Sequence, residues 1–183
     1  MADQKTAPAP AATSAPATAA KRAETTVKAG LSMPFVYRIF FLLIEPISAL
    51  VGAYYAFHGQ SEYLRLTHAA SATEPIPLGT TIVMSQLANL YLFFAINEAL
   101  VLRSTSNMRV WKTVLFCLLI GDLGHLYTLR ELGPEIYWSV TKWNAIDWGN
   151  IPFVYFGASL RIAFLADVGL GANGGTLQKI AIA

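Results

Sequence analysis

Charge is scarce in this sequence. Only 13% of its 183 residues are Asp, Glu, Lys or Arg, where a soluble domain carries about 25%. Too few charges remain to solvate the surface of a water-soluble globule. The net charge is +2, and no basic stripe alternates with aromatics, which excludes nucleic acid as a partner. Cysteine occurs once, as Cys117, which excludes an internal disulfide and a cysteine-based zinc site. Lying inside an apolar run, Cys117 reads as a small packing residue. There is no P-loop, no GxSxG and no Asn-x-Ser/Thr acceptor site, so nucleotide binding and serine-hydrolase chemistry find no support. No internal repeat is evident.

What the chain does have is four apolar runs, at 35–57, 78–102, 110–129 and 151–168. Each is near the roughly 20 residues that cross a hydrocarbon core about 30 Å thick. The fourth is the shortest, and Arg161 interrupts it. The expected fold is all-α, a polytopic four-transmembrane-helix bundle over 33–168. Residues 1–32 are rich in Ala, Pro and Thr. They cannot bury enough apolar surface to offset the entropy of ordering, and read as a disordered cytoplasmic tail. Residues 169–183 read as a flexible C-terminal tail; Gly169, Gly171, Gly174 and Gly175 follow no strand and form no phosphate cradle. The N-terminus lacks the short apolar core of a cleavable signal peptide. Basic residues at 5, 21, 22 and 28 hint at a mitochondrial presequence, but Asp3, Glu24 and the prolines oppose an amphipathic helix there.

With the N-terminus inside, Lys21, Arg22, Lys28, Arg103, Arg109, Lys112 and Lys179 fall on the inner side, against Arg65, Arg130 and Lys142 outside. The excess places both termini in the cytoplasm. The expected location is the endoplasmic reticulum or another endomembrane. The segment 130–150 carries Tyr137, Trp138, Trp143 and Trp148. Such rings collect at the headgroup level, so this segment is expected to lie along the outer interface.

Costly polar groups sit within the runs. Glu45 is at the middle of the first, where a lone carboxylate must be protonated, paired or wet. Pro46 follows it, frees the carbonyl of Leu42 and kinks the helix. Arg38, Glu45, Ser48, Gly52 and Tyr55 recur at helical spacing, a face expected to point inward. The second run carries Gln86, Asn89 and Asn97 at steps that share a face, with Glu98 beside them. They read either as interhelical hydrogen bonds or as a pocket lining. The third holds Asp122 and His125, three apart and so on one face. They read as a structural pair, or as a pair that handles protons or binds a ligand. A metal site lacks supporting spacing such as HExxH. Gly121 and Gly124 would admit a close helix backbone. Arg161 in the fourth run is the natural counter-ion for a carboxylate on another helix, either Glu45 or Glu98 by depth.

The stretch PFVYRIFFLLIEPISALVGAYYAF, with NEALVLR and GDLGH further on, resembles a family of small four-helix fungal membrane proteins of unknown function. The resemblance covers most of 33–168 and is carried by Glu45-Pro46, Glu98 and Asp122. It implies the topology and no chemistry. In layout, and at the Gly121-Asp122 step, the chain is more distantly similar to the sterol-isomerase and sigma-2-receptor type and to membrane-bound terpene cyclases. Those hold buried carboxylates around a lipid-sized cavity.

Two classes of function follow. One is a non-enzymatic scaffold, adaptor or lipid-binding module locked by a buried polar network. The other is a membrane isomerase or cyclase acting on a sterol or isoprenoid by carboxylic-acid proton transfer, with catalytic candidates Glu45, Asp122 and His125. Candidate binding residues are Gln86, Asn89, Asn97, Glu98 and Arg161. A channel would need several copies to enclose a pore. No cofactor and no metal is expected. The expected partners are membrane lipid and a hydrophobic small molecule, with oligomerisation left open.

Overall fold

A computed structural model of the chain describes residues 33–171. The tail 1–32 and most of 169–183 lie outside the described residues. Helices and short turns make up the fold, with no strand among the described residues. Three helices are long and apolar enough to cross a membrane. They are Phe35–His58 (α1), Leu78–Ser104 (α3) and the segment Met108–Leu132, whose regular part is Met108–Thr128 (α4). They match the first three apolar runs to within a few residues. Between them lies a short helix that composition did not signal, Gln60–Thr67 (α2).

The fourth run corrects the expectation of a single spanning helix over 151–168. Its helix, Pro152–Leu165 (α6), has 14 residues, or about 21 Å at about 1.5 Å per residue, short of the roughly 30 Å hydrocarbon core. Pro152 opens α6, where a missing N–H costs nothing. Asp167 closes the segment at φ 61°, a left-handed conformation that Asp tolerates. Ahead of α6 stands a further helix, Ala145–Asn150 (α5), capped by Asn144. The Asn144 side chain accepts from the N–H groups of Ile146 and Asp147, and Asp147 accepts from the Asn144 N–H. This reciprocal cap satisfies donors that a helix start leaves unpaired.

Pro46 acts inside α1 by widening a turn. It has no N–H to give to the Leu42 carbonyl, and the backbone takes π geometry over Phe40–Ile44. The freed carbonyl is not left bare, because the Arg103 guanidinium donates to it. The extra residue in the turn rotates the upstream part of α1 by about 100° against the rest. This corrects the single inward face read through Arg38, Glu45, Ser48, Gly52 and Tyr55. Glu45 is buried and Gly52 meets the Tyr91 ring, but Arg38 and Tyr55 are exposed. Tyr37, Phe40 and Phe41 take the inward positions.

The helices associate as two pairs, α1 along α3 and α4 along α6. The pairs meet in a core of Tyr37, Phe40, Phe41, Leu102, Trp111, Leu115 and Phe164. Tyr37 packs edge-on to Phe164, and Trp111 stacks on Phe164. A smaller core of Ala56, Met84 and Ala88 lies toward the opposite end. There the Tyr63 and Tyr91 hydroxyls are 3.0 Å apart. Outside the cores, large apolar side chains face outward along every long helix, Phe35, Leu78, Phe93 and Leu123 among them. In water such a surface would be untenable; against lipid it needs no cover.

The aromatic segment folds back on the helix ends. Tyr137 donates to the Leu126 carbonyl at 2.7 Å and Trp143 to the Ile136 carbonyl at 2.7 Å. Asn144 donates to the Leu66 carbonyl at 2.7 Å, tying the segment to α2. At the other end, Lys112 pairs with Asp167 at 2.7 Å and Tyr37 donates to the Val168 carbonyl at 2.9 Å.

Candidate functional site

Arg161 is the centre of the buried polar chemistry. Its side chain is 0% exposed, and it reaches a carboxylate on each of the three long helices. Nη1 donates to Asp122 Oδ2 of α4 at 2.7 Å. Nη2 donates to Glu45 Oε1 of α1. Glu98 Oε1 of α3 stands 3.9 Å from Nη2, near enough for attraction and too far for a hydrogen bond. The guanidinium carbon lies 5.6 Å from the Phe41 ring centre, a cation–π contact.

Local sequence explains how the groups arrive there. Asp122 falls on the buried stripe of α4 with Trp111 and Leu115. Glu98 falls on the buried stripe of α3 with Met84, Ala88, Ala95 and Leu102. Arg161 folds back along its own helix over Gly157. A Cβ at Gly157 would come within 2.9 Å of Arg161 Nη1 and 3.4 Å of Phe40 Cζ. Glycine is therefore required at 157 for space rather than for backbone freedom. The reading of the sequence missed Gly157; its position four residues before a buried arginine was the available signal. It also missed Arg103, whose signal was the carbonyl that Pro46 leaves free.

The cluster is not electrically balanced. Three carboxyl groups face one guanidinium, and several polar atoms have no hydrogen-bond partner among the described residues: Glu45 Oε2, both oxygens of Glu98 and Arg161 Nε. No group of three or more His, Cys, Asp or Glu among the described residues has metal-binding geometry.

Other expected site residues lie elsewhere. The expected choice between Glu45 and Glu98 as partner of Arg161 resolves into contact with both and with Asp122. Asp122 therefore does not pair with His125, which corrects that reading. His125 instead neighbours Asn150 at the end of α5, and its Nε2 is buried without a partner among the described residues. The reading of Gln86, Asn89 and Asn97 as the lining of an interior pocket is also corrected. Gln86 and Asn89 are exposed, and half-buried Asn97 donates back to the Phe93 carbonyl at 3.0 Å. The inward stripe of α3 contains Ala88, Ala95 and Glu98, and the amides fall on its other side. A Cβ added at Gly121 or Gly124 would meet no atom within 4 Å, so no helix among the described residues uses them as a close approach. Cys117 is exposed rather than packed.

Polar groups outside the long helices behave as ordinary surface pairs. A hydrogen bond from Arg65 holds the Glu62 carboxyl below its ordinary range, and Lys142 does the same for Glu135. An open groove of about 490 Å³ lies at the α1–α2 turn, with Phe57, His58, Glu62 and Thr81 in its wall. None of the clustered carboxyl groups borders it.

Residues 30–171 match the model of a family described as a domain of unknown function, DUF7704. The chain belongs to the DUF7704 family. The match spans all three long helices and α6, so Glu45, Glu98, Asp122 and Arg161 all lie within the DUF7704 domain. No curated protein and no solved structure matches the chain.

Proposed function

We propose that the chain is a four-pass integral membrane module without catalytic activity, a scaffold or adaptor that binds membrane lipid along its outer faces. The fourth crossing is composite, formed by α5, Ile151 and α6. Helical hydrogen bonds run through the joint, from Ile151 N to the Asp147 carbonyl at 2.9 Å and from Tyr155 N to the Ile151 carbonyl at 2.8 Å. Laid end to end, the helical residues of 145–165 would extend roughly 30 Å at about 1.5 Å per residue. Four crossings return the C-terminus to the side of the N-terminus, and the Lys/Arg excess supports a cytoplasmic reading of that side; the proposed membrane is the endoplasmic reticulum or another endomembrane.

The observation that supports the scaffold role is the Arg161 contact with all three long helices. These buried ionic contacts join helices that are far apart in the sequence. Buried ionic groups of this kind fix register and partner choice more than they add stability.

A second reading is a membrane isomerase or cyclase that acts on a sterol or isoprenoid by proton transfer. The unpartnered oxygens of Glu45 and Glu98 favour it. It requires a lipid-sized cavity bordered by those oxygens, and the groove at the α1–α2 turn is not such a cavity.

Thermal stability of Glu45→Gln and Asp122→Asn beside the parent, in detergent, separates the two. Removing one partner of a buried pair costs about 3–5 kcal/mol. A loss of that size in both variants is the expected result. Parent-like or raised stability would mean that the carboxylates are retained for chemistry at a cost to the fold, and would replace the scaffold reading with the enzymatic one.

A further inference from the structure

The two direct hydrogen bonds of the Arg161 guanidinium go to Asp122 and Glu45. Glu98 is therefore the carboxyl group left without a cation of its own. Its side chain is 0% exposed, and neither of its oxygens has a hydrogen-bond partner among the described residues. Yet Glu98 and Glu45 approach the same guanidinium nitrogen, Arg161 Nη2, and Glu45 keeps one buried acceptor free, Oε2. Two carboxylates are both acceptors and repel at that range. A carboxylic acid beside a carboxylate is a donor beside an acceptor.

From this geometry we infer that Glu45 and Glu98 form a proton-binding site between α1 and α3, in which Glu98 carries the proton and donates it to Glu45. The charged groups facing the pair are Arg161 from α6 and Asp122 from α4. With the proton in place, one guanidinium faces two carboxylates instead of three. The O–H then gives Glu98 a partner and occupies the one acceptor that Glu45 otherwise leaves free. The ligand is a proton and no metal is needed. Loss of the proton would set two like charges against each other between α1 and α3. The site goes beyond the scaffold reading and exists whether or not the protein catalyses anything.

Infrared spectroscopy of the full chain in lipid nanodiscs tests the assignment. The parent spectrum is expected to contain a carboxylic-acid C=O stretching band that shifts in heavy water. Glu98→Gln is expected to lose that band and no carboxylate band. Its thermal midpoint is expected to match the parent, because the carboxamide N–H can replace the acid O–H toward Glu45. Glu98→Leu provides the contrast: it leaves Glu45 Oε2 unpaired and is expected to unfold at a lower temperature. If Glu98→Gln loses a carboxylate band instead, or is destabilised as much as Glu98→Leu, the shared proton is wrong and Glu98 is an ionised partner of Arg161.

Discussion

Replacing Arg161 by methionine tests the central ionic cluster most severely. The substitution keeps an unbranched side chain of similar length and removes the cation that faces the three carboxyl groups. The contact with Asp122 is 2.7 Å. At that distance unit charges attract by about 6 kcal/mol for an effective dielectric constant of about 20. The Glu45 contact is at least as close. Against this stands the cost of taking a guanidinium out of water, several kcal/mol. The net effect of stranding the carboxylates is a loss of about 3–5 kcal/mol. For a chain of this size each kcal/mol lowers the midpoint by about 2–4 °C, so Arg161→Met should melt roughly 10 °C below the parent. The assay is the thermal midpoint in detergent, followed by loss of the monodisperse peak on size exclusion. Arg161→Met combined with Glu45→Gln and Asp122→Asn removes the stranded charges as well and should recover at least half of the loss. A parent-like single variant, or a triple variant no more stable than the single one, would refute the reasoning.

Gly157→Ala should destabilise by about 1–3 kcal/mol, the usual cost of overpacking, because its Cβ would press on Arg161 and Phe40; denaturant titration would show it. Arg103→Met should cost about 1–3 kcal/mol by leaving the Leu42 carbonyl unpaired, and a double-mutant cycle with Pro46→Ala should show coupling, since that change supplies a backbone donor. Burial holds the Tyr63 phenol well above its ordinary range. Its neutral form therefore supports the fold below about pH 10, and that support is lost as the pH rises further, because the unfolded chain releases the proton first. Phenolate absorbance should show a late-titrating component that Tyr63→Phe removes. In a Cys117→Ser background, Ser71→Cys and Ser139→Cys should react with an impermeant reagent from one side of the membrane and Ser106→Cys from the other; the same side for all three would overturn the topology.

The three long helices were legible because the signal is local. A helix in lipid satisfies its own backbone, so the length and hydropathy of 35–57, 78–102 and 110–129 were sufficient to place them. Glu45, Glu98, Asp122 and Arg161 were legible as costly groups for the same reason, since an intramembrane charge stands out whatever surrounds it. The consequence of Pro46 for the Leu42 carbonyl was also local and followed from the missing N–H. What sequence could not decide was direction. The face of α3 that turns inward depends on the packing of α1, and that put Glu98 inside and Gln86 and Asn89 outside. The carbonyl left free beside the π turn, whose single extra residue reorients Arg38 and Tyr37, finds its donor 61 residues away, in Arg103. The choice of Arg161 over His125 as partner of Asp122 was likewise tertiary: spacing on one helix permits a pair, but a buried guanidinium from another helix offers a charge that a neighbouring imidazole does not. The amino-acid sequence by itself determined which groups must be buried and paired; only the packing of four segments on one arginine determined with whom.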